Sequence, residues 1–306
     1  MPTNSAVFTE LYAPGLRKVI FESYKYMKSE YASFLRVGGS KRQYEEDYNM
    51  GGFGSVPEKP EGTGIIYDDP VPGSKVQYYW KPYGKGFRVT HEAQADELYG
   101  QMNKMAASLG KAFRNQGEII GASMLNNAFS TPATLGVSSN YGYDAKALCA
   151  TDHPLLRGST ARNRPTGNID LSVTALQDAI VDFERVVDES SVPIVLIPRK
   201  IIVAPELWPL LQEILRSTQK PFTSDNEVNI LSGALDPFMS HYMTDTNAWF
   251  IETGMEDLDL WFFWREKFST DASDDFDTGD GKMKGYMRGD IGYGDWRGIW
   301  GSPGSS

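Results

Sequence analysis

Residues 44–83 read YEEDYNMGGFGSVPEKPEGTGIIYDDPVPGSKVQYYWKPY, and the fold turns on how this stretch is read. It is rich in Gly, Pro, Asp and Tyr and holds few aliphatic residues before Ile65-Ile66. A connection of this length is foreign to a compact domain, where most loops run to about 4–6 residues. Two strand-like pieces, 65–67 and 75–80, flank the turn-rich Asp68-Asp69-Pro70-Val71-Pro72-Gly73. The stretch predicts an extended hairpin that leaves the body of the protein. A lone hairpin has too little core to be stable in water, so it should be ordered by lying on a neighbour.

On its N-terminal side, residues 1 to about 13 read as a loose arm. Pro14-Gly15 then opens a helix carrying Leu16, Val19, Ile20, Tyr24 and Met27, and Gly38-Gly39 reads as a chain reversal. On its C-terminal side, Thr90 is placed to cap a long helix reaching about Phe129. Leu98, Met102, Met105, Leu109, Phe113, Ile120, Met124 and Phe129 make a stripe spaced by threes and fours along it. Such a helix would span roughly 60 Å. Gly100, Gly110, Gly117 and Gly121 each weaken it by about 1 kcal/mol relative to alanine, so they either admit another backbone closely or mark bends. Beyond a loop-like stretch at 132–168, the pattern predicts helices over 172–187 and 205–217. Between them, the β-branched runs 194–197 and 201–203 are split by Pro198-Arg199-Lys200, and further strands fall at 248–251, 258–263 and within 282–300. The fold class is α+β.

The chain has 306 residues, a net charge of −10 and one cysteine, Cys149, which rules out an intrachain disulfide. The acidic balance argues against a protein that grips nucleic acid by neutralising phosphates, but not against a container for it. No signal peptide or membrane-length apolar run is present in the sequence. Motifs for chemistry fail on spacing. The cluster Asp271, Asp274, Asp275, Asp277 and Asp280 begins like a calcium loop, but Gly279, Asp280 and Tyr286 occupy positions that need a ligand, a turn glycine and a bidentate glutamate. A solvated turn or charge patch is the better reading there. His91-Glu92 lacks the second histidine of a zinc-peptidase helix, and His153 and His241 stand apart, each better read as structural or exposed. There is no serine-hydrolase elbow, phosphate loop or dinucleotide fingerprint, and Cys149 sits in a small apolar setting suited to an inert thiol. The expectation is a non-enzyme with no metal and no cofactor.

An arm, an extended hairpin, a spine helix, an α/β layer and returning strands together resemble the Hong Kong 97-like capsid subunit of tailed bacteriophages. Several motifs resemble the major head subunits of Mu-like phages. They are Lys59-Pro60-Glu61-Gly62 with Ile66-Tyr67-Asp68-Asp69-Pro70, Tyr83-Gly84-Lys85-Gly86-Phe87-Arg88-Val89-Thr90 and Leu125-Asn126-Asn127-Ala128-Phe129. Downstream come Thr151-Asp152-His153-Pro154-Leu155, Ile201-Ile202-Val203-Ala204-Pro205-Glu206-Leu207, Asn226-Glu227-Val228-Asn229, Tyr242-Met243-Thr244-Asp245-Thr246-Asn247-Ala248-Trp249-Phe250, Asp275-Phe276-Asp277-Thr278 with Lys282-Met283-Lys284, and Asp295-Trp296-Arg297-Gly298-Ile299-Trp300-Gly301. The likeness covers about residues 50–301 in family order; Arg162 and Arg164 depart from it where a Gly/Ser-rich loop belongs.

The resemblance implies an N-terminal arm and helix (1–43), an E-loop (44–89), a spine helix in the P-domain (90–135), an A-domain (136–255) and returning P-domain strands (256–306). It implies self-assembly into pentamers and hexamers that enclose double-stranded DNA without reading its sequence. Assembly would take place in the host bacterial cytoplasm, with scaffold, portal and decoration proteins as further partners and no membrane. The subunit contacts it points to are Tyr67, Asp68, Asp69, Tyr78, Tyr79 and Trp80. No long helical leader precedes the arm, which implies a separate scaffold or a mature form. Lys59, Lys75, Lys81 and Lys85 are available for crosslinking but read better as solvated. Three rivals remain at this level: a cellular nanocompartment of the same fold, a metal-dependent enzyme built on Asp271–Asp280, and a decoration protein.

Overall fold

The computed structural model describes residues 12–69, 71–96, 99–135, 141–219, 228–275 and 277–305. Its longest strands, β10 (Leu260–Asp274) and β11 (Gly281–Tyr293), form an antiparallel ribbon. Along β11, residues 281, 283, 285 and 287 are buried while 282 and 284 are exposed, the period of two that a half-covered sheet imposes. β1 (Arg36–Gly39) joins one edge in parallel and β4 (Lys81–Val89) the other edge antiparallel, giving the order β1-β10-β11-β4. The spine helix α3 (Tyr99–Asn126), about 42 Å long, packs on the buried face, where Phe113 meets Phe268 at 4.7 Å. Gly285 makes room for Phe113, since a Cβ there would strike its ring.

The N-terminal helix α1 (Ala13–Tyr26) lies against α3 with Leu16 and Ile20 buried. Two of the four spine glycines admit close approach. A Cβ on Gly110 would collide with the Ile20 carbonyl oxygen, and one on Gly121 with Tyr31, whereas Gly100 faces open space. Gly110→Ala is therefore expected to destabilise the subunit by about 2 kcal/mol, because overpacking outweighs the better helix propensity of alanine. Gly100→Ala should be neutral or slightly stabilising; chemical denaturation of the two variants side by side checks this.

Beyond the short antiparallel pair β5 (His153–Pro154) and β6 (Thr160–Ala161), a second sheet has the order β12-β9-β7-β8, from β7 (Pro198–Val203), β8 (Asp236–Met239), β9 (Trp249–Thr253) and β12 (Ile299–Ser302). Ile201, Val203, Trp249 and Ile251 pack with Leu176 and Phe183 of α4 (Val173–Glu184) and Leu211 and Ile214 of α5 (Trp208–Arg216). Ile202 and Phe250 point the other way, into the core shared with the spine. Burial on both faces explains why Ile201-Ile202-Val203 is a continuous apolar run instead of an alternating one.

Several expectations change. Gly38-Gly39 does not reverse the chain; it lies in β1, where Gly38 clears the ring of Phe263. The long helix is two pieces: Thr90 does cap α2 (His91–Ala95), accepting from the Ala93 N–H, but α2 ends at Asp96 before α3 begins. Gln94 is buried and donates its amide to the Val89 carbonyl at 3.1 Å. Leu98 and the arm at 1–11 lie outside the described residues. Residues 194–197 form no strand, and 198–200, read as the interruption, begin β7. Residues 81–89 belong to the first sheet and not to the hairpin, while the C-terminal 299–302 join the second sheet and not the first.

Candidate assembly interface

The hairpin exists, with different strands. β2 (Tyr44–Gly51) pairs antiparallel with β3 (Val71–Tyr79), from Tyr44 opposite Tyr79 to Gly51 opposite Val71, with an irregularity between Tyr48 and Met50. Residues 65–67 are not a strand; they sit in the wide loop joining β2 to β3. The first strand was illegible because polar pairs hold it. Glu46 accepts from Gln77, from the Tyr48 hydroxyl at 2.8 Å and from Lys75 at 3.3 Å. These hydrogen bonds, that of Gln77 foremost, hold its carboxyl below the usual range. Such cross-strand pairs stabilise a ladder without any apolar signature.

Tyr78 and Trp80, expected against a neighbour, are buried in their own chain. With Val76 they form a small core on Phe263 and Tyr143, ring centroids 5.2 and 5.4 Å from Phe263, and the Trp80 indole donates to the Arg42 carbonyl at 3.1 Å. This core roots the hairpin. Further out, polar contacts brace it: the Asn49 amide donates to Glu189 at 2.9 Å, and the Ser190 hydroxyl to the Gly52 carbonyl at 2.8 Å. Glu189 in turn accepts from the Leu156 N–H at 3.0 Å and from buried Arg297 at 2.9 Å. Asp68 pairs with Arg157 at 2.8 Å and accepts the Gly54 N–H at 3.2 Å, contacts that keep its carboxyl below the ordinary range. Tyr79 is exposed and donates to Gln77 at 3.2 Å, and Asp69 is exposed.

The apolar side chains of the loop are bare. Phe53, Val56, Ile65, Ile66 and Tyr67 are all exposed, Val56 and Tyr67 to 94% and 91%. Scattered single apolar residues are ordinary on a surface, but a group of this size within one loop marks an interaction site. Phe53 and Val56 were missed in the sequence, although each is an apolar residue stranded among Gly and Pro. Asn49, Glu189 and Arg297 meet only by folding across more than a hundred positions, and Arg157 reaches Asp68 across 89, so no local pattern marks them.

Three members of the acidic cluster are held in ion pairs. Asp271 faces Lys284 at 3.5 Å and Arg17 at 3.8 Å, Asp275 pairs with Lys282, and Asp280 with Arg88 at 3.5 Å. Among the described residues no three His, Cys, Asp or Glu side chains stand grouped to hold a metal ion. His153 is structural: fully buried, stacked on Trp296 at 4.0 Å and bonded to Asp144 and Asn163. His241 is exposed and paired with Glu30 at 2.7 Å. Cys149 is fully buried, and burial pushes its thiol well up.

The sequence model of the phage capsid protein family matches residues 74–302, three quarters of the chain. The chain belongs to that family. Among curated proteins no sequence relative was found. Solved capsids share the fold of this capsid subunit at very low identity. The capsid of the native GTA particle has 8% identity and a TM-score of 0.57, covering 92% of each chain. The capsid of the cyanophage P-SCSP1u has 10% identity and a TM-score of 0.56, over 91% of this chain and 89% of that one. The virus-like particle from Pyrococcus furiosus has 11% identity and a TM-score of 0.51, over 95% and 99%. The fold is the Hong Kong 97-type capsid fold, and the protein is a structural major capsid protein of a phage head.

Proposed function

We propose that copies of this capsid protein gather into pentamers and hexamers that close a head around double-stranded DNA. The subunits would assemble in the host cytoplasm, with portal, scaffold and decoration proteins completing the particle, and nothing in the role calls for catalysis. The first sheet, α1 and α3 serve as the P-domain, the second sheet with α4 and α5 as the A-domain, and residues 44–79 as the E-loop. Within the family the motifs ally the chain with the Mu-like head subunits. The observation that carries the assembly reading is the bare apolar loop between β2 and β3, which has a rooted base and no apolar cover among the described residues. Seated on an adjacent copy, Tyr67 and its neighbours would bury area that a monomer leaves in water. Asp69 and Tyr79 would flank the contact, while Asp68 stays on Arg157 to aim the loop. Many modest contacts closed by symmetry suffice for a stable shell.

The test is a triple variant, Ile65→Ser, Ile66→Ser and Tyr67→Ser. The unassembled variant should keep the circular dichroism and melting temperature of the wild-type subunit, since these side chains touch no core. Wild-type protein should form closed shells in negative-stain images and the variant should not. Shells formed equally well by both would remove the loop from the interface; wild-type protein that never closes would sink the assembly reading itself.

A further inference from the structure

Charge along this chain is segregated. Residues 70–91 and 98–117 contain none of its 40 acidic residues, yet they carry Lys75, Lys81, Lys85, Arg88, Lys104, Lys111 and Arg114. The fold brings parts of these two stretches together, since β4 and α3 border a shallow groove lined by Lys85, Phe87, Lys104, Met105 and Ser108. Four of the seven cations are committed: Lys75 to Glu46, Lys81 to Asp290, Arg88 to Asp280 and Arg114 to Glu118. Lys85, Lys104 and Lys111 are exposed and make no ion pair among the described residues. Asp271, which shares the rim of an adjoining hollow with Lys85, is already flanked by Lys284 and Arg17. Lys104 and Lys111 are two helical turns apart, about 10 Å. Between and beside them the exposed face of α3 offers amides and a hydroxyl (Asn103, Ser108, Asn115), all able to bond an anionic oxygen.

We propose that this groove between β4 and α3 is the face that meets the enclosed nucleic acid, with Lys85, Lys104 and Lys111 touching phosphates of a double helix. The inference rests on the shell reading above and adds which face of the subunit is turned inward. An unpaired cationic strip on a protein of net charge −10 is complementary to a polyanion and to little else on the chain's own surface. Lysines that contact phosphate alone position a duplex without reading its bases, as a container requires. Three such contacts give weak binding with a marked salt dependence, each neutralised phosphate steepening the slope of log Kobs against log salt by about 0.9.

The experiment compares full-length subunits, wild type and the triple variant Lys85→Gln, Lys104→Gln and Lys111→Gln, binding a short fluorescent duplex DNA over a range of salt. The wild-type slope should be steeper than the variant's by about 2.7, and Lys→Arg replacements at the same positions should restore it. A second variant, Lys282→Gln with Lys284→Gln, whose lysines are already paired with Asp275 and Asp271, should keep the wild-type slope. Equal slopes for wild type and the groove variant, or a loss confined to the Lys282 and Lys284 variant, would overturn the proposal. Poly-glutamate bound more tightly than DNA at equal charge would also overturn it, by assigning the groove to an acidic protein segment. Negative-stain imaging of the same preparations keeps the two readings apart. Wild-type shells whose groove variant is unchanged in DNA binding would refute the groove alone; absence of wild-type shells would refute the assembly reading.

Discussion

Replacing Asn163 with alanine is expected to lower the unfolding free energy of the unassembled subunit by about 4 kcal/mol. Asn163 is 1% exposed, and its side chain is the staple between the 148–153 segment and the start of the C-terminal strand. Its Oδ1 accepts from the Ala150 N–H at 2.9 Å and faces the His153 ring nitrogen at 3.0 Å. Its Nδ2 donates to the carbonyls of Leu148 at 2.8 Å, Ile299 at 3.0 Å and Trp296 at 3.2 Å. Alanine would strand these backbone groups and the His153 nitrogen where water does not reach, at about 1–3 kcal/mol for each buried group left unmade. Asn163→Asp should also destabilise, because a carboxylate has no N–H to offer three carbonyls. The same change should loosen the hairpin. Arg157 and the Leu156 N–H, which brace it, follow directly after this stapled segment, and Arg297 lies between the stapled carbonyls of Trp296 and Ile299. Guanidinium denaturation reads the first effect, and faster hydrogen exchange in β2 and β3 reads the second. A loss under about 1 kcal/mol would mean the staple is replaceable and the account wrong.

What was legible in the sequence followed from periodic signals. The stripe at Met102, Leu109, Phe113, Ile120 and Met124 is buried as read, although Met105 of the same stripe is exposed, and the helix read over 172–187 is α4. The turn-rich chemistry of 44–83 announced a hairpin, but its first strand was invisible. Glu45, Glu46 and Asp47 belong to no apolar pattern, and the pairing of β2 with β3 is secured by polar partners across the ladder. Aromatic residues misled for a related reason. Tyr78 and Trp80 have the composition of an interface, yet composition cannot say whether the partner ring is on another copy or is Phe263 of the same chain. The bracing set of Asn49, Glu189, Arg157 and Arg297 is a product of long-range topology, as is the Asn163 staple, and no local pattern encodes either.

Lys200→Met should cost the subunit about 3 kcal/mol near pH 8 and much less near pH 5, and the difference between the two pH values is the diagnostic part. Lys200 on β7 pairs with Glu252 on β9 at 2.9 Å and also donates to the Ser33 carbonyl. Glu252 is 1% exposed, and its second oxygen has no hydrogen-bond partner. Burial lifts its carboxyl from 4.5 to about 7 even though Lys200 pulls the other way. The sign follows from which state ionises first. Below the unfolded value of 4.5 both states hold the proton and Glu252 is neutral to stability. Between 4.5 and about 7 the unfolded chain gives up its proton while the folded subunit keeps it, so stability falls as pH rises and levels off above the folded value. For wild type this slope amounts to something on the order of 3 kcal/mol across the window. Without Lys200 the folded carboxyl loses its one cation, its proton is held to still higher pH, and the decline extends further into the alkaline range. Glu252→Gln removes the ionisation altogether and should flatten the profile. Because Lys200 also reaches Ser33, the pair links the second sheet to the turn Tyr31–Ser33, whose Tyr31 N–H is held in turn by Glu118 of the spine helix at 3.1 Å. A Lys200 variant should therefore show its pH-dependent loss as earlier opening of that junction in hydrogen exchange. Stability profiles of wild type, Lys200→Met and Glu252→Gln that run parallel from pH 5 to 8 would dismiss the buried pair as their source.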